Sequence, residues 1–148
     1  MLLDDALAQV SALGLDTAPF IYFVERNPAY LNLAREIFAR IDSGAFVGYC
    51  STITLTEVLT LPKRAQNQKL ESEYGALLTQ SKNLTLVPIT ADVAALAAEL
   101  RARYRLHTPD ALQIAAALAA RCEAFLTNDA ALRRVKELRI LILNDLEL

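Results

Sequence analysis

The chain alternates between short β-type runs and longer segments with helical periodicity, and this alternation strongly constrains its fold. Five short apolar runs predict strands at residues 12–15, 46–50, 84–89, 123–126 and 139–143. Strands that are separated by helices need crossover connections, which favour parallel pairing. The sequence therefore predicts an α/β fold with a central, mainly parallel five-stranded sheet and helices on both faces. An all-helical bundle fits poorly with the runs FVGYC, LTLVPI and LRILIL.

The predicted helices are placed by their caps and by apolar residues at helical spacing. Thr90 and Thr108 are predicted to cap two of them, and Pro109 would take the first position after the second cap. Another helix should open at Pro28 and stop at Ser43-Gly44. Its apolar stripe consists of Leu33, Ala34, Ile37, Phe38 and Ile41. The other helical segments are predicted at about 17–25, 54–62, 66–82 and 129–136.

Composition limits the chemistry that the chain can carry. With 148 residues, 54% of them hydrophobic and 22% charged, we expect one globular domain over residues 1–148. Four glycines cannot build a P-loop or a GxGxxG fingerprint, and a single histidine, His107, excludes a multi-histidine zinc site. The N-terminal segment does not resemble a signal peptide and no apolar run could span a bilayer, so we expect a cytoplasmic protein. Most of the available polar chemistry is carboxylate chemistry.

Four acidic residues fall where ligand sites form in such sheets, beyond the carboxyl ends of the strands. Asp16 directly follows the first predicted strand and Asp129 follows the fourth, whereas Glu57 and Asp110 lie in predicted first turns of helices. We therefore expect the four carboxylates to meet at one edge of the sheet. Gathered carboxylates raise one another's pKa values, and a hard cation such as Mg²⁺ relieves that repulsion. The pattern indicates metal-assisted phosphoryl chemistry.

Each of these acids also has a structural alternative. Glu57 could close a capping box with Thr54, and Asp110 could complement the dipole of its helix. Asp16 and Asp129 could be turn or cap residues. An acid that ends a central strand is costly to bury without a partner, which favours a functional role for Asp16. The four acids together favour a metal site more than any one of them does alone.

Four stretches resemble PIN domains, in particular the VapC toxins of bacterial toxin–antitoxin pairs. They are LDTAPFIYFVE at 15–25, STITLTEVL at 51–59, RYRLHTPDALQIAAAL at 103–118 and FLTNDAAL at 125–132. They come in the family's order and span most of the chain, although Ala18-Pro19 stands where many members carry asparagine. The resemblance implies a three-layer α/β/α sandwich and an endoribonuclease that depends on Mg²⁺ or Mn²⁺.

The resemblance also implies roles for individual residues. Asp16, Glu57, Asp110 and Asp129 would be catalytic, and all of them except Glu57 would bind metal. Glu57 would orient or deprotonate the attacking water, and Thr127 would position the acids by hydrogen bonding. The implied reaction is in-line attack on an RNA phosphodiester by a metal-activated water. The implied partners are a cognate antitoxin that blocks the site and a second copy of the chain in a homodimer, with no membrane association.

Three other functions are alternatives to a toxin nuclease. A PIN-like module could bind RNA or a partner without a toxin role, although such a module has no need of four acids. A phosphoacceptor domain needs an acid directly after the third strand, where Ile89-Thr90 stands. A haloacid-dehalogenase-like phosphatase needs a second aspartate two residues after Asp16, where Ala18 stands.

Two further features have both a functional and a structural interpretation. Gln113 lies one turn after Asp110 and could either line the cleft or be a solvated residue. Two basic clusters lead toward the predicted site and could either contact RNA phosphates or be solvated faces. They comprise Arg101, Arg103 and Arg105, and Arg133, Arg134 and Lys136.

Overall fold

Strands and helices alternate along the chain as the sequence predicts. A computed structural model describes residues 1–148. Its strands are β1 (Ala12–Leu15), β2 (Val47–Ser51), β3 (Leu84–Val87), β4 (Ala124–Thr127) and β5 (Arg139–Ile142). Its helices are α1 (Leu3–Ala6), α2 (Thr17–Val24), α3 (Leu31–Asp42), α4 (Thr52–Arg64), α5 (Gln68–Gln80), α6 (Ala91–Tyr104) and α7 (Thr108–Ala119). Two 3₁₀ helices, Ala130–Arg134 and Leu143–Asp145, follow β4 and β5.

The five strands form one sheet in the order β3-β2-β1-β4-β5, and every pairing is parallel. Helices cover both faces. One apolar cluster packs α2, α3 and α5 on one face, and a second packs α6 and α7 on the other. The structure is therefore a three-layer α/β/α sandwich, which confirms the predicted fold class.

The central strand β1 lies at the point where the direction of strand progression reverses. The chain passes from β1 outward to β2 and β3, and then returns to place β4 and β5 on the opposite side. In open α/β sheets the ligand crevice forms beyond the carboxyl ends of the strands at such a reversal. The crevice between the ends of β1 and β4 is the place where a site is expected.

Helix α7 packs unusually close to β1 because Gly14 has no side chain. A Cβ atom at Gly14 would lie 2.7 Å from Cβ of Ala117, which is closer than real Cβ atoms approach. The glycine therefore sets the distance between the sheet and α7. Since α7 begins two residues before Asp110, this close packing also brings that acid toward the end of β1.

Four helix starts differ from the sequence prediction, and one of them is that of α5, which begins at Gln68 rather than at residue 66. Helix α3 begins at Leu31 rather than at Pro28, which lies in a turn. Helix α4 begins at Thr52 rather than near Thr54, because Ser51 ends β2 and caps the helix through its hydroxyl. Helix α7 begins at Thr108, which is its first residue and not its cap; His107 holds the cap position without a side-chain hydrogen bond.

Other predictions about local structure are confirmed. Thr90 caps α6, with its Oγ1 accepting a hydrogen bond from Val93 N over 3.3 Å. Gly44 follows the end of α3 with a φ of 82°, a left-handed conformation in which glycine is favoured. The five residues of the α3 stripe are all buried. None of the helices has the length and apolar character needed to cross a membrane.

Candidate active site

Asp16 is held at the end of β1 by two hydrogen bonds, one on each carboxylate oxygen. Its Oδ1 accepts from Thr17 N over 2.7 Å, so Asp16 also caps α2, as its structural alternative proposed. Its Oδ2 accepts from Thr127 Oγ1 over 2.6 Å. Thr127 is fully buried at the end of the neighbouring strand β4. Adjacent parallel strands thus supply the acid and the hydroxyl that orients it.

The environment of Asp16 opposes its ionisation. Burial raises the pKa of this carboxyl above its ordinary value, and the charges of Asp110 and Glu57 raise it further. The hydrogen bonds from Thr127 and Thr17 lower the pKa but do not outweigh burial. A nearby positive charge would therefore stabilise the ionised form of Asp16.

Glu57 lies in the second turn of α4, because that helix starts at Thr52 and not near Thr54. The predicted capping box is wrong, since Thr54 lies inside the helix and Glu57 does not reach back to its amide. The Oε1 atom of Glu57 instead accepts hydrogen bonds from Thr17 Oγ1 over 2.9 Å and from Gln113 Nε2 over 3.3 Å. The carboxylate is thus anchored to α2 and α7, which flank the end of β1.

Asp110 and Asp129 reach the same end of the sheet from α7 and from the loop after β4. Asp110 lies in the first turn of α7, where burial and then the charge of Asp129 raise its pKa. Glu57 raises the pKa of Asp110 further, while His107 and Arg134 lower it. Asp129 caps the 3₁₀ helix after β4, with its Oδ1 accepting from Ala131 N over 2.9 Å. Asp129 therefore has the predicted cap role, and its charge also acts on Asp110.

The structure brings the four predicted acids into one electrostatic group. The charges of Asp16, Glu57 and Asp129 each interact with the Asp110 carboxylate. None of the four forms a salt bridge. No group of three or more of the protein's His, Cys, Asp and Glu side chains is arranged to hold a metal ion by itself. The carboxylates thus lie close enough to interact without forming a closed cage.

Comparison with known proteins identifies the family of this α/β sandwich. A family model described as the PIN domain matches residues 14–138, which include all four acids and Thr127. The chain belongs to the PIN domain family. A comparison with curated protein sequences gave no match.

Several solved structures share the fold of this PIN domain. VapBC2 of Rickettsia felis, bound to a DNA fragment from its promoter, superposes with a TM-score of 0.68 at 19% identity over 88% of this chain and 98% of that chain. A toxin–antitoxin complex of Klebsiella pneumoniae gives 0.67 at 24% identity over 90% and 98%. VapC20 of Mycobacterium tuberculosis, a toxin that cleaves the sarcin–ricin loop, gives 0.66 at 20% identity over 87% and 99%. At these identities the likeness concerns the fold.

The PIN domain buries a set of polar side chains that the sequence did not single out as a group. Five buried residues are serine, threonine or glutamine, and none of the 45 buried residues is charged. All five lie around the acids: Thr17, Ser51, Thr54, Gln113 and Thr127. Gln113 is 3% exposed, so its interpretation as a solvated residue is wrong. The available signals were the polar residues that end β2 and β4 and the one-turn spacing from Asp110 to Gln113.

A second hydrogen-bonded group holds the loop that carries Asp129. Asn128 donates from Nδ2 to the Tyr22 hydroxyl over 3.1 Å and accepts from Asn144 N over 2.9 Å. The Tyr30 hydroxyl donates to Asn144 Oδ1 over 3.0 Å, and its ring stacks on Tyr22 at 4.6 Å between centroids. The loop after β4 is therefore fastened to α2 and to the end of β5.

The two basic clusters divide into neutralised and unpaired residues. Arg103 and Arg133 form ion pairs with Glu137 and Asp145. Arg134 forms no ion pair, is exposed, and lies close enough to Asp110 to lower its pKa. Among these basic residues, Arg134 is the one whose charge acts directly on the acidic site.

Proposed function

We propose that this PIN domain is an endoribonuclease that requires Mg²⁺ or Mn²⁺ and acts as the toxin of a type II toxin–antitoxin pair. The observation that carries the proposal is the group of four carboxylates without ion-pair partners at the reversal of strand order. Burial and mutual repulsion raise the pKa values of Asp16 and Asp110, so a bound cation would stabilise the ionised form of both carboxylates.

The donor set fits a hard divalent cation. Mg²⁺ prefers oxygen ligands, keeps several waters and is commonly held by one or two carboxylates together with substrate phosphate oxygens. It therefore does not need the closed three-carboxylate group that this PIN domain lacks. Asp16, Asp110 and Asp129 are the residues that would hold it. When bound, such an ion increases the acidity of water and neutralises charge on the scissile phosphate.

The residues of the chain itself supply positioning and proton transfer. Thr127 and Thr17 each donate a hydrogen bond to one oxygen of Asp16. The Asp16 carboxylate therefore has a defined orientation before the reaction. Glu57 is anchored through Oε1, and Oε2 has no donor from the protein. Oε2 of Glu57 can therefore accept a proton from the attacking water, which is the role expected of a general base.

The toxin role and the antitoxin partner are supported by the structural relatives. Two of them are toxin–antitoxin complexes, from Rickettsia felis and Klebsiella pneumoniae, and VapC20 is a toxin that cleaves the sarcin–ricin loop. We expect the product of an adjacent reading frame to bind this chain and to inhibit cleavage. Inhibition is measured by adding that product to a cleavage assay. A homodimer stays a prediction.

Cleavage of a long RNA by the purified protein tests the nuclease assignment. We expect cleavage with Mg²⁺ or Mn²⁺ and none in excess EDTA. Asp16→Asn should lower the rate by about 100-fold or more, the scale on which one preorganised electrostatic group acts. Asp92→Asn is the matched control, because Asp92 is an exposed acid in the first turn of α6. Full cleavage in EDTA, or equal rates for wild type and Asp16→Asn, would rule out the assignment.

A further inference from the structure

The buried polar side chains at the site form one connected hydrogen-bond network with Gln113 at its centre. The Nε2 atom of Gln113 lies 3.0 Å from Thr17 Oγ1, 2.9 Å from Thr54 Oγ1 and 3.3 Å from Glu57 Oε1. Its Oε1 atom accepts a hydrogen bond from the Ser51 hydroxyl. One side chain of α7 is therefore bonded to residues from α2, β2 and α4.

The orientation of the Gln113 amide follows from its partners. The Ser51 oxygen already accepts from Ile53 N over 3.2 Å, so its proton is free to go to the Gln113 carbonyl oxygen. On the other side, the Glu57 carboxylate can only accept hydrogen bonds when it is ionised. A reversed amide would place its carbonyl oxygen against that carboxylate. The network therefore fixes the amide with its N–H groups toward Glu57.

The donors of the network converge on the Glu57 carboxylate. The two N–H groups of the Gln113 amide are shared among Thr17, Thr54 and Glu57, and the Thr17 hydroxyl donates to Glu57 over 2.9 Å. The two threonine hydroxyls lie 3.2 Å apart, so Thr54 can donate to Thr17. Both contacts to the carboxylate reach Oε1, and the side chain of Glu57 otherwise lies at the exposed surface.

We propose that Gln113 is a positioning residue that, with its amide oriented by Ser51, fixes Glu57 so that Oε2 faces the reacting water. The protein concentrates its buried polar side chains beside Glu57 and Asp16. Apart from Tyr74 and two cysteines, every buried polar side chain of the protein belongs to this network or to the Thr127–Asp16 contact. No buried side-chain polar atom is left without a partner. The assignment rests on the proposed ribonuclease function.

Two variants of the network separate positioning from folding. Gln113→Leu removes the donors to Glu57 and leaves the Ser51 hydroxyl without its acceptor, which destabilises the protein. The double variant Ser51→Ala/Gln113→Leu removes both partners and should recover part of that stability. If Gln113 positions Glu57, kcat for RNA cleavage stays low in both variants. We expect a fall of about 10- to 100-fold with KM changed by less than about 3-fold, as for a displaced catalytic group.

Tyr74→Phe is the control for a lost buried hydroxyl, because Tyr74 donates to Glu25 outside the network. Its kcat should equal that of the wild type. The position of Glu57 gives a second readout that does not depend on activity. In a crystal structure of Gln113→Leu or of the double variant, we expect the Glu57 carboxylate to leave Thr17.

The outcomes distinguish this assignment from the proposed function. Recovery of kcat in the double variant, or an unmoved Glu57 carboxylate in the variant structures, overturns the role of Gln113. A wild-type protein that cleaves no RNA overturns the ribonuclease, and the position of Glu57 then still decides whether Gln113 orients it. If Gln113→Leu does not fold, the double variant and Ser51→Ala provide the same two readouts, because Ser51→Ala removes the donor that holds the Gln113 carbonyl oxygen.

Discussion

Replacing Thr127 with valine removes the hydroxyl that orients Asp16 while keeping the shape of the side chain. The Thr127 hydroxyl is fully buried, donates to Asp16 Oδ2 over 2.6 Å and accepts from Asp129 N over 3.1 Å. The amide of the exposed Asp129 can bond to water instead. A hydrogen bond to a charged group contributes about 1.5–3 kcal/mol, so we expect Thr127→Val to lower the free energy of unfolding by about that amount near pH 7.

The size of this loss should depend on pH. Burial raises the pKa of Asp16 above its ordinary value, so the Asp16 carboxyl stays protonated to higher pH in the folded protein than in the unfolded chain. Asp16 therefore costs stability as the pH rises from its ordinary pKa through its folded pKa. The Thr127 hydrogen bond lowers that folded pKa, and the valine variant raises it. The loss of stability should be complete at pH values above the folded pKa of Asp16 in the variant. It should shrink as the pH falls through the folded pKa values of the variant and the wild type.

Urea unfolding in EDTA, at about pH 7.5 and about pH 4, measures the loss under both conditions. Thr85→Val is the matched control, because Thr85 is an exposed threonine in β3. Its effect should stay below about 0.5 kcal/mol at either pH. A loss for Thr127→Val of less than about 0.5 kcal/mol near pH 7.5, or an equal loss at both pH values, would contradict the described contact.

Three further predictions concern packing and RNA binding. Gly14→Ala should lower the free energy of unfolding by about 1–3 kcal/mol in urea titrations, because the new Cβ meets Ala117 at 2.7 Å. Gly75→Ala, with open space around it in α5, should raise it by about 0.5–1 kcal/mol. Arg134→Ala should weaken RNA binding and reduce the salt slope of log K by about 1, whereas the exposed Lys69→Ala should change neither. Unchanged binding by Arg134→Ala would exclude a phosphate contact at that residue.

The sequence by itself determined where the strands of the sheet lie along the chain and at which edge of the sheet the acids are found. The strand at Ala12–Leu15 was predicted with its observed bounds, and the other strands deviate by one or two residues at their ends. Parallel strands place their carboxyl ends on one edge of the sheet. An acid within two residues of the end of a central strand must therefore lie at that edge, which is why Asp16 and Asp129 could be placed from the order of the chain alone.

Helix starts were harder to predict where several residues could serve as the cap. The segment from Ser51 to Thr54 offers three hydroxyl side chains, each able to cap a helix. The position of the last residue of β2 decides among them, and that position depends on pairing with β1 and β3. The first turn of α4, and with it the turn that carries Glu57, was therefore misplaced in the sequence prediction.

Only the tertiary structure decided which side chains hold each acid. The partners of Glu57 are Thr17, which is 40 residues away, and Gln113, which is 56 residues away. Local patterns such as helical spacing cannot report contacts over that separation. Gln113 is buried because α7 packs closely over Gly14, a consequence of three-dimensional packing between two distant segments. The sequence thus specified the acids and their edge of the sheet, whereas close packing of β1, α4 and α7 specified their orientation.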